Sequence, residues 1–415
     1  MIYQIKEGKG NIKEYDYDGK LLFEGEYLNG IKIGKGKEYY YNGKLLFGGE
    51  YLNGKKWNGN GYNINGNKEF EIKDGKGSIK EYGYEGNLLF EGEYLNGERN
   101  GKGKEYNYYN GKLEYEGEYL NGIKNGKGKE YIYDNKLLFE GEYLKEKKNG
   151  KGKEYYSNGK IKFDGEYLNG KKWNGNGYNI NGNKEYEIKK GKGNIKEYDY
   201  DGKLLFEGEY LNGIKIGRGK EYNDFDDNLN NEGEYLNDKK NGKGKEYYSN
   251  HKLKYEGEFL NGIKNGKGKE YCFDGKLLFE GEYLNGKKWN GNGYDKNGNM
   301  EYEIKEGKGN IKEYDYDGNL EYEGEYLNGK KSGKGKEYNF QGKIKFEGEY
   351  LNGERNGKGK EYYFNGKLLF EGEYLNGRKN GKGKEYDSHG KLIFEGEYLN
   401  DKKINGNGLN LNSNK

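Results

Sequence analysis

A nearly identical segment recurs along the whole chain, and this repetition is the strongest constraint on its fold. In its clearest form the segment runs from Leu21 to Tyr39, with the sequence LLFEGEYLNGIKIGKGKEY. Its Gly-x-Gly element returns mostly every 24 to 26 residues, with three short intervals of 16 residues. A fixed period in this range is typical of proteins built from stacked repeats. We therefore expect repeats that contact only their neighbours along the chain.

Each repeat has the pattern of two short strands joined by turns. Asn42-Gly43 is a strong hairpin signal, because both central residues of a type I′ turn need a positive φ and Asn and Gly tolerate it. The other turn of the repeat is predicted to be longer, from about Leu28 to Ile33. Alternating strands and turns of this kind predict an antiparallel sheet whose strands follow chain order.

The two turns together predict a register for the strands. The central glycine of each repeat falls between two other glycines, Lys35 falls between Glu26 and Glu50, and Tyr39 falls opposite Leu46. Because side chains alternate across a strand, each such row lies on one face. The predicted fold class is all-β, an elongated single-layer antiparallel β-meander of tandem hairpin repeats.

A second period is superimposed on the first. Trp57, Trp173 and Trp289 are 116 residues apart, and each opens one of the short repeats. We therefore expect five-repeat blocks of about 116 residues within a single continuous array covering residues 1–415. Residues 223–231 depart from the pattern and are predicted to form a degenerate repeat with a frayed loop.

Composition and charge argue against several classes of function. The 74 basic residues are balanced by 71 acidic ones, for a net charge of +3, whereas binding to nucleic acid needs an excess of positive charge. The Gly-Lys-Gly-Lys runs lack the remainder of a phosphate-binding loop. His251 and His389 are far apart in sequence, Cys272 is the only thiol, and none of them has the spacing of metal ligands. We predict no catalytic residue, no cofactor and no metal, and therefore not an enzyme.

The chain also lacks the marks of export and of membrane insertion. Its N-terminus has no apolar segment of the kind found in signal peptides. No apolar run approaches the ~20 residues of a transmembrane helix. We expect a cytoplasmic protein, with a peripheral position at a membrane or at the cytoskeleton as the alternative.

The segment from Glu371 to Gly383, EGEYLNGRKNGKG, resembles the MORN repeat, whose pattern is aromatic-x-Gly-x-aromatic, then Asn-Gly, then Gly-x-Gly. The usual MORN repeat is slightly shorter and places its next tyrosine in another register. In this respect the chain is also similar to the MORN variant of bacterial YwqK-type proteins, labelled antitoxins. The resemblance implies an elongated hairpin meander that serves as a scaffold linking proteins to membranes or cytoskeleton, with phosphoinositide binding as a weaker possibility. It implies no catalytic residues.

Two groups of aromatic residues are candidates for partner binding. The first is the aromatic row represented by Phe23, Tyr27 and Tyr40 with their equivalents. The second is the set of three tryptophans, Trp57, Trp173 and Trp289, which either staple the shortened turns or serve as docking points.

Protein partners are expected for such a scaffold, and head-to-tail self-association through the terminal strands is a further possibility. Two alternative functions remain open at this stage. One is an antitoxin or immunity protein of the YwqK type. The other is a carbohydrate-binding or cell-wall-binding aromatic module.

Overall fold

The computed structural model describes residues 4–6, 8–132, 135–223, 225 and 228–408. The terminal segments on which the head-to-tail prediction rests lie largely outside these residues. Within the described part of the chain all regular structure is β-strand, and no helix occurs. The predicted all-β antiparallel meander of hairpin repeats is confirmed.

The strands form four antiparallel sheets, in each of which they follow chain order. The first sheet contains β1 (Gln4–Lys6), β2 (Lys9–Tyr15), β3 (Leu21–Leu28), β4 (Ile31–Tyr39), β5 (Leu45–Leu52), β6 (Lys55–Tyr62) and β7 (Lys68–Ile72). The second contains β8 (Gly77–Tyr82), β9 (Leu88–Leu95), β10 (Glu98–Tyr106), β11 (Leu113–Leu120), β12 (Ile123–Ile132), β13 (Lys136–Leu144), β14 (Lys147–Tyr155), β15 (Ile161–Leu168), β16 (Lys171–Tyr178) and β17 (Lys184–Ile188).

The third and fourth sheets repeat this plan. The third contains β18 (Lys192–Tyr198), β19 (Leu204–Leu211), β20 (Ile214–Tyr222), β21 (Leu229–Leu236), β22 (Lys239–Tyr247), β23 (Leu253–Leu260), β24 (Ile263–Tyr271), β25 (Leu277–Leu284), β26 (Lys287–Tyr294) and β27 (Met300–Ile304). The fourth contains β28 (Gly309–Tyr314), β29 (Leu320–Leu327), β30 (Lys330–Tyr338), β31 (Ile344–Leu351), β32 (Glu354–Tyr362), β33 (Leu368–Leu375), β34 (Arg378–Tyr386), β35 (Leu392–Leu399) and β36 (Lys402–Gly408).

The chain divides into two compact units. The N-terminal unit comprises Met1–Leu204 and Tyr210–Gly213, and the C-terminal unit comprises Leu205–Glu209 and Ile214–Lys415. Strands β1–β18 belong to the first and β20–β36 to the second. A single continuous domain over residues 1–415 stays a prediction.

The two turns of each repeat are the reverse of the predicted pair. Asn29 and Gly30, between β3 and β4, have φ values of 49° and 79°, as a two-residue type I′ turn requires. At Asn42-Gly43 only the glycine has a positive φ, and its N–H donates to the carbonyl of Tyr40 at 2.8 Å. This is a three-residue loop that ends in a glycine bulge. The type I′ turn predicted at Asn42-Gly43 and the longer turn predicted at the other end were therefore wrong.

The predicted glycine row is confirmed, and two bulges shift the pairing on either side of it. Gly36 lies opposite both Gly25 and Gly49. Beyond the first bulge Glu26 lies opposite Ile33 and not opposite Lys35 as predicted. The carboxylate of Glu26 nevertheless contacts Lys35, because it accepts the backbone N–H of that residue at 3.1 Å. A second bulge places Tyr39 opposite Leu45, one residue from the predicted Leu46. Bulges insert a residue on one strand only, which a regular alternation cannot anticipate.

The hydrophobic core is a row of aromatic rings that lie flat on the glycine row. The ring of Phe23 covers Gly25 and Gly36, and its edge meets Tyr27 and Tyr51 with both centroid distances at 5.6 Å. The same edge-to-face contacts recur from repeat to repeat, for example between Phe139 and its two neighbouring tyrosines. Aromatic pairs favour this geometry because the positive ring edge meets the negative ring face.

Isoleucines end the glycine row at the breaks between sheets. In the second sheet the row begins at Ile79, opposite Gly92, and ends at Ile188, opposite Gly175. Both isoleucines are buried. The breaks coincide with the three short repeats, so the 116-residue period of the sequence is also the period of the sheets.

The degenerate segment is better ordered than predicted. Strand β21 begins at Leu229, and only residues 224, 226 and 227 of this segment lie outside the described residues. Asn231 occupies the position of the core phenylalanine, opposite Glu221. Its side chain is held by Glu221 and by Lys240, at 3.3 and 3.1 Å. The frayed loop was therefore wrong for residues 228–231.

Substitution of a row glycine should damage the core locally. A Cβ on Gly128 would lie 2.6 Å from the Cζ atom of Tyr115, well inside van der Waals contact. We expect Gly128→Val to cost about 1–3 kcal/mol of stability. Hydrogen exchange should accelerate in β11–β13 and stay unchanged three repeats away, because repeats are coupled only to their neighbours. The control is Gly48→Glu. Gly48 lies opposite Lys37 outside the glycine row, and most other repeats carry glutamate at its position. A global collapse of Gly128→Val would contradict the nearest-neighbour description.

Restoring the missing ring at position 231 should stabilise the protein. No aromatic ring covers Gly233 from its own repeat, whereas Tyr255 covers the equivalent Gly257. We expect Asn231→Phe to add about 1–2 kcal/mol to the free energy of unfolding of the C-terminal unit, because the ring moves out of water. Urea unfolding monitored by hydrogen exchange in β20–β22 would measure the gain. Asn231→Ala, which adds no ring, is the control and should not stabilise.

Candidate functional site

The aromatic residues predicted to bind partners lie inside the core. Phe23, Tyr27 and Tyr40 are 1%, 7% and 0% exposed. The hydroxyl of Tyr40 donates to the carbonyl of Tyr62 at 2.7 Å, and the hydroxyl of Tyr27 donates to Glu14. These three side chains present almost no surface to a partner in this structure.

The three tryptophans occupy equivalent positions at the sheet breaks and are half-buried. The indole of Trp57 lies against Gly75, whose N–H donates to the carbonyl of Trp57 at 2.8 Å. Trp173 with Gly191, and Trp289 with Gly307, repeat both features. Each indole therefore fills the space left by a shortened turn, as expected of a staple. Docking at these residues stays a prediction.

The face opposite the aromatic core carries a long groove in the second sheet and another in the fourth sheet. In the second sheet the groove has a volume of about 1180 Å³ and lies between residues 69 and 166. In the fourth sheet it has a volume of about 1050 Å³ and lies between residues 301 and 397. The floor of both grooves is the backbone of the glycine row, which bears no side chains on this face.

Charged side chains of alternating sign form the walls of the groove. On one wall of the second sheet, Lys104 lies opposite Glu116, which lies opposite Lys129, and the alternation continues through the next strands. On the other wall Lys127 lies opposite Glu142. Since neighbouring strands are ~4.8 Å apart, the charge changes sign at that interval along both walls. The predicted rows of lysine and glutamate thus form the sides of this groove.

Tyrosines hold the groove glutamates in place. The hydroxyl of Tyr39 donates to Glu24 at 2.6 Å, and Tyr106, Tyr131 and Tyr222 make the same bond in their own repeats. Burial, together with the bond to Glu24, raises the pKa of Tyr39 to about 12, so the hydroxyl stays a donor at neutral pH. The glutamates of this wall are therefore held in position by tyrosines.

The sequence argument missed a layer of cations above the core rings. Lys32 Nζ lies 3.8 Å from the ring centroid of Phe23, and the guanidinium of Arg99 lies 4.1 Å from that of Phe90. Each core ring is thus enclosed between backbone glycines and a cation. The sequence does contain a signal for this layer of cations. A Lys or Arg stands two residues after each type I′ turn, and the alternation of side chains along the strand places it on the core face.

Glutamates on the core face neutralise these cations. Lys172 lies 2.8 Å from Glu154, and about a fifth of each side chain is exposed. Burial disfavours the charge of Glu154, but the attraction of Lys172 and its hydrogen bond outweigh burial and lower the pKa of Glu154 to about 2. Burial alone would lower the pKa of Lys172, but the attraction of Glu154 favours the charged ammonium and raises this pKa overall. This ion pair is part of the folded core and not a reactive site.

Two further kinds of site, a cluster of metal ligands and a membrane-spanning helix, are absent from the described residues. Within them, no group of three side chains could hold a metal ion. Nor does any helix in the described part have the length and hydrophobicity to cross a membrane. What the geometry does provide is a repeated groove with fixed, alternating charges.

The profile of the MORN repeat matches eight segments: residues 23–44, 90–107, 115–136, 232–252, 255–276, 322–342, 346–367 and 370–391. The profile of the MORN repeat variant matches residues 9–29, 148–169 and 192–212. Together these matches cover more than half of the chain, which therefore belongs to the MORN-repeat proteins. MORN repeats are generally modules for interaction with proteins or membranes, and proteins built from them are generally non-enzymatic.

No curated protein matches the chain at a significant level. Among solved structures, it is similar to TcdB2-TccC3 without its hypervariable C-terminal region, with a TM-score of 0.17, 10% identity, and coverage of 95% of this chain and 24% of that one. The Tc holotoxin pore of Photorhabdus luminescens gives a TM-score of 0.13, 12% identity, and coverage of 93% and 22%. This chain spans about a quarter of the length of these proteins, and TM-scores this low carry no argument about fold or function.

Acid should weaken the core through Glu154. Because the pKa of Glu154 is lower in the folded chain than its ordinary value of 4.5, its contribution is complete above pH 4.5 and is lost as the pH falls towards 2. We expect Glu154→Gln to lose on the order of 2–3 kcal/mol at pH 7 and to show a flatter pH dependence between 4.5 and 2. Urea unfolding at several pH values would measure both.

Substitution of Lys172, the other member of the ion pair, provides an internal check. Lys172→Gln leaves Glu154 buried without its cation, so its stability relative to the wild type should be lowest at pH 7 and should recover on acidification. If both variants keep the pH profile of the wild type, the ion pair does not contribute as described.

Proposed function

We propose that this protein is a non-catalytic scaffold whose glycine-floored grooves bind extended segments of partner proteins. The observation that carries the proposal is the shape of the groove. It is long, open along its length, and continuous over many strands in both the second and the fourth sheet. A polymer chain fits such a groove better than a compact small molecule does, because small-molecule sites enclose most of their ligand.

The floor of the groove favours close contact with another main chain. The residues of the glycine row direct no side chain into the groove, because a Cβ at these positions would point towards the core rings, so another main chain can approach the floor. The walls then offer lysine and glutamate side chains in fixed alternation, so a segment that carries both signs of charge can pair with them. Charge patterns of this kind determine specificity and association rate more than affinity.

Two equivalent grooves favour a scaffold over a simple binder. One groove belongs to the N-terminal unit and the other to the C-terminal unit. Binding of two segments of one partner would be strengthened by their linkage, and binding of two partners would bring these together. Whether such partners belong to a membrane or to the cytoskeleton is part of the proposal that only an interaction experiment can decide.

The test neutralises the groove without disturbing the fold. Six groove lysines are replaced by asparagine, the residue that the tryptophan-containing repeats carry at the same positions: Lys102, Lys127, Lys151, Lys334, Lys358 and Lys382. At least four of these lysines anchor their bulges through the backbone N–H, which asparagine also provides. Partners cross-linked to the full-length protein in its native cells would be quantified by mass spectrometry.

A matched control separates the groove from overall charge. It replaces six exposed lysines at the three-residue loops by asparagine: Lys20, Lys44, Lys160, Lys343, Lys367 and Lys391. We expect partners to be recovered at least tenfold less with the groove variant and at wild-type levels with the control. Equal recovery with both variants would overturn the proposal.

A further inference from the structure

Three consecutive loops of the fourth sheet present aromatic rings at their most exposed position. They connect β28 to β29, β30 to β31 and β32 to β33, and they carry Tyr316, Phe340 and Phe364. These side chains are 63%, 74% and 51% exposed. We call this row the aromatic ridge. It lies at the edge of the sheet opposite to the type I′ turns.

The ridge is not required by the fold. Equivalent loops carry serine at Ser157, Ser249 and Ser388, so the loop forms equally well without a ring. Loop stability comes from side chains at other positions. Asp315 accepts the N–H groups of Asp317 and Asn319, at 2.9 and 2.8 Å. Exposed aromatic rings at positions where the loop also forms with serine mark an interaction surface.

Two of the three rings of the ridge are in contact with each other. The ring centroids of Phe340 and Phe364 are 5.3 Å apart, with an angle of 41° between the ring planes. Lys343 Nζ reaches the carbonyl of Phe364 at 3.5 Å and thereby ties the two loops together. Phe340 and Phe364 therefore form one apolar strip, and the ring of Tyr316 in the preceding loop of this edge contacts Phe273, with 6.4 Å between the ring centroids. The rings of Phe340 and Phe364 are inclined to one another, unlike the flat platform on which a sugar stacks.

The charges beside the ridge change sign from one end to the other. The loop of Tyr316 carries the exposed Asp317, and its last position is Asn319. The loops of Phe340 and Phe364 instead carry exposed lysines, Lys343 and Lys367, and no acidic residue. An aromatic strip with an acidic end and a basic end is complementary to itself when one copy is turned by 180° about its centre.

We infer that the aromatic ridge is a self-association surface, on which a second copy of this chain packs in antiparallel orientation. Phe340 of one copy lies against Phe340 of the other. Asp317 of each copy lies opposite Lys367 of the other, so a two-fold axis creates the same ion pair twice. This contact differs from head-to-tail pairing of terminal strands and does not involve the groove.

The size of the ridge indicates a weak dimer. With roughly 150–250 Å² for each aromatic side chain and the exposures above, three rings contribute roughly 400 Å² from each copy. The two copies together would bury roughly 800 Å². Stable interfaces begin at a total buried area of ~1,200 Å². The dimer should therefore form at high local concentration, as when several copies are gathered on one partner.

Analytical ultracentrifugation of the full-length protein over a concentration series tests the inference. We expect a reversible monomer–dimer equilibrium that Phe340→Ser weakens at least tenfold. The matched control is Tyr109→Ser, which removes a 91% exposed aromatic side chain from a loop of the N-terminal unit and should leave the equilibrium unchanged. Because the side chain of Phe340 is mostly exposed, the thermal unfolding of Phe340→Ser should match that of the wild type.

Charge reversal tests the orientation. Asp317→Lys and Lys367→Asp should each weaken the dimer, because each brings two like charges together at both ends of the contact. The double variant should restore it, since both ion pairs form again with their signs exchanged. A protein that stays monomeric at the highest concentration overturns the inference. A dimer that survives Phe340→Ser, or single variants without rescue in the double variant, overturns it equally.

Discussion

The contact between flat aromatic rings and the glycine row is the interaction on which the rest of this structure depends. A single-layer sheet has no second layer to cover its apolar face, so its core must be built from side chains of that one face. Phe23 and its equivalents solve this by lying directly on Gly25 and Gly36, where any Cβ would prevent contact. The cation of Lys32 then covers the other side of the ring. Burial is thereby achieved with few apolar residues per repeat, which explains how a chain with only 31% hydrophobic residues folds.

This construction places strict demands on one face and few on the other. On the core face glycine, phenylalanine, lysine and glutamate are each required by a specific neighbour, as Glu154 and Lys172 show. On the opposite face lysine and glutamate pair only across the groove walls, where each pair contributes roughly 0.2–1 kcal/mol. Asn58 and Asn60 stand in place of the groove lysines in a repeat that keeps its row glycine, Gly59, opposite Gly49. The groove can therefore change its charge pattern without loss of the fold, which is what a binding surface needs in order to acquire a partner.

The sequence was sufficient to predict the meander, the glycine row and the lysine–glutamate rows, because these follow from the period of the repeat and the alternation of side chains. It was insufficient at the turns. Asn29-Gly30 and Asn42-Gly43 share a dipeptide that favours a type I′ turn, yet only the first adopts it. The difference arises from bulges at Lys35 and Tyr39, which depend on contacts from the neighbouring strands.

The same limitation affected the candidate sites. Phe23, Tyr27 and Tyr40 were predicted to bind partners because they are aromatic and recurrent, but a recurrent aromatic residue in a single-layer sheet is needed first for the core.

Exposure in the folded chain, and not residue type, therefore distinguishes binding aromatics from core aromatics here. Tyr40 and Tyr41 are adjacent in one loop, yet the first is fully buried and the second is not. Both positions vary across the array: the first is tyrosine at Tyr40 but aspartate at Asp315, and the second is tyrosine, phenylalanine, serine, isoleucine or lysine. Variation at a position that the fold leaves free is the means by which otherwise identical repeats become different surfaces. The fourth sheet carries three aromatic rings in succession at that position, so it gives this edge a property that the shared repeat alone does not provide.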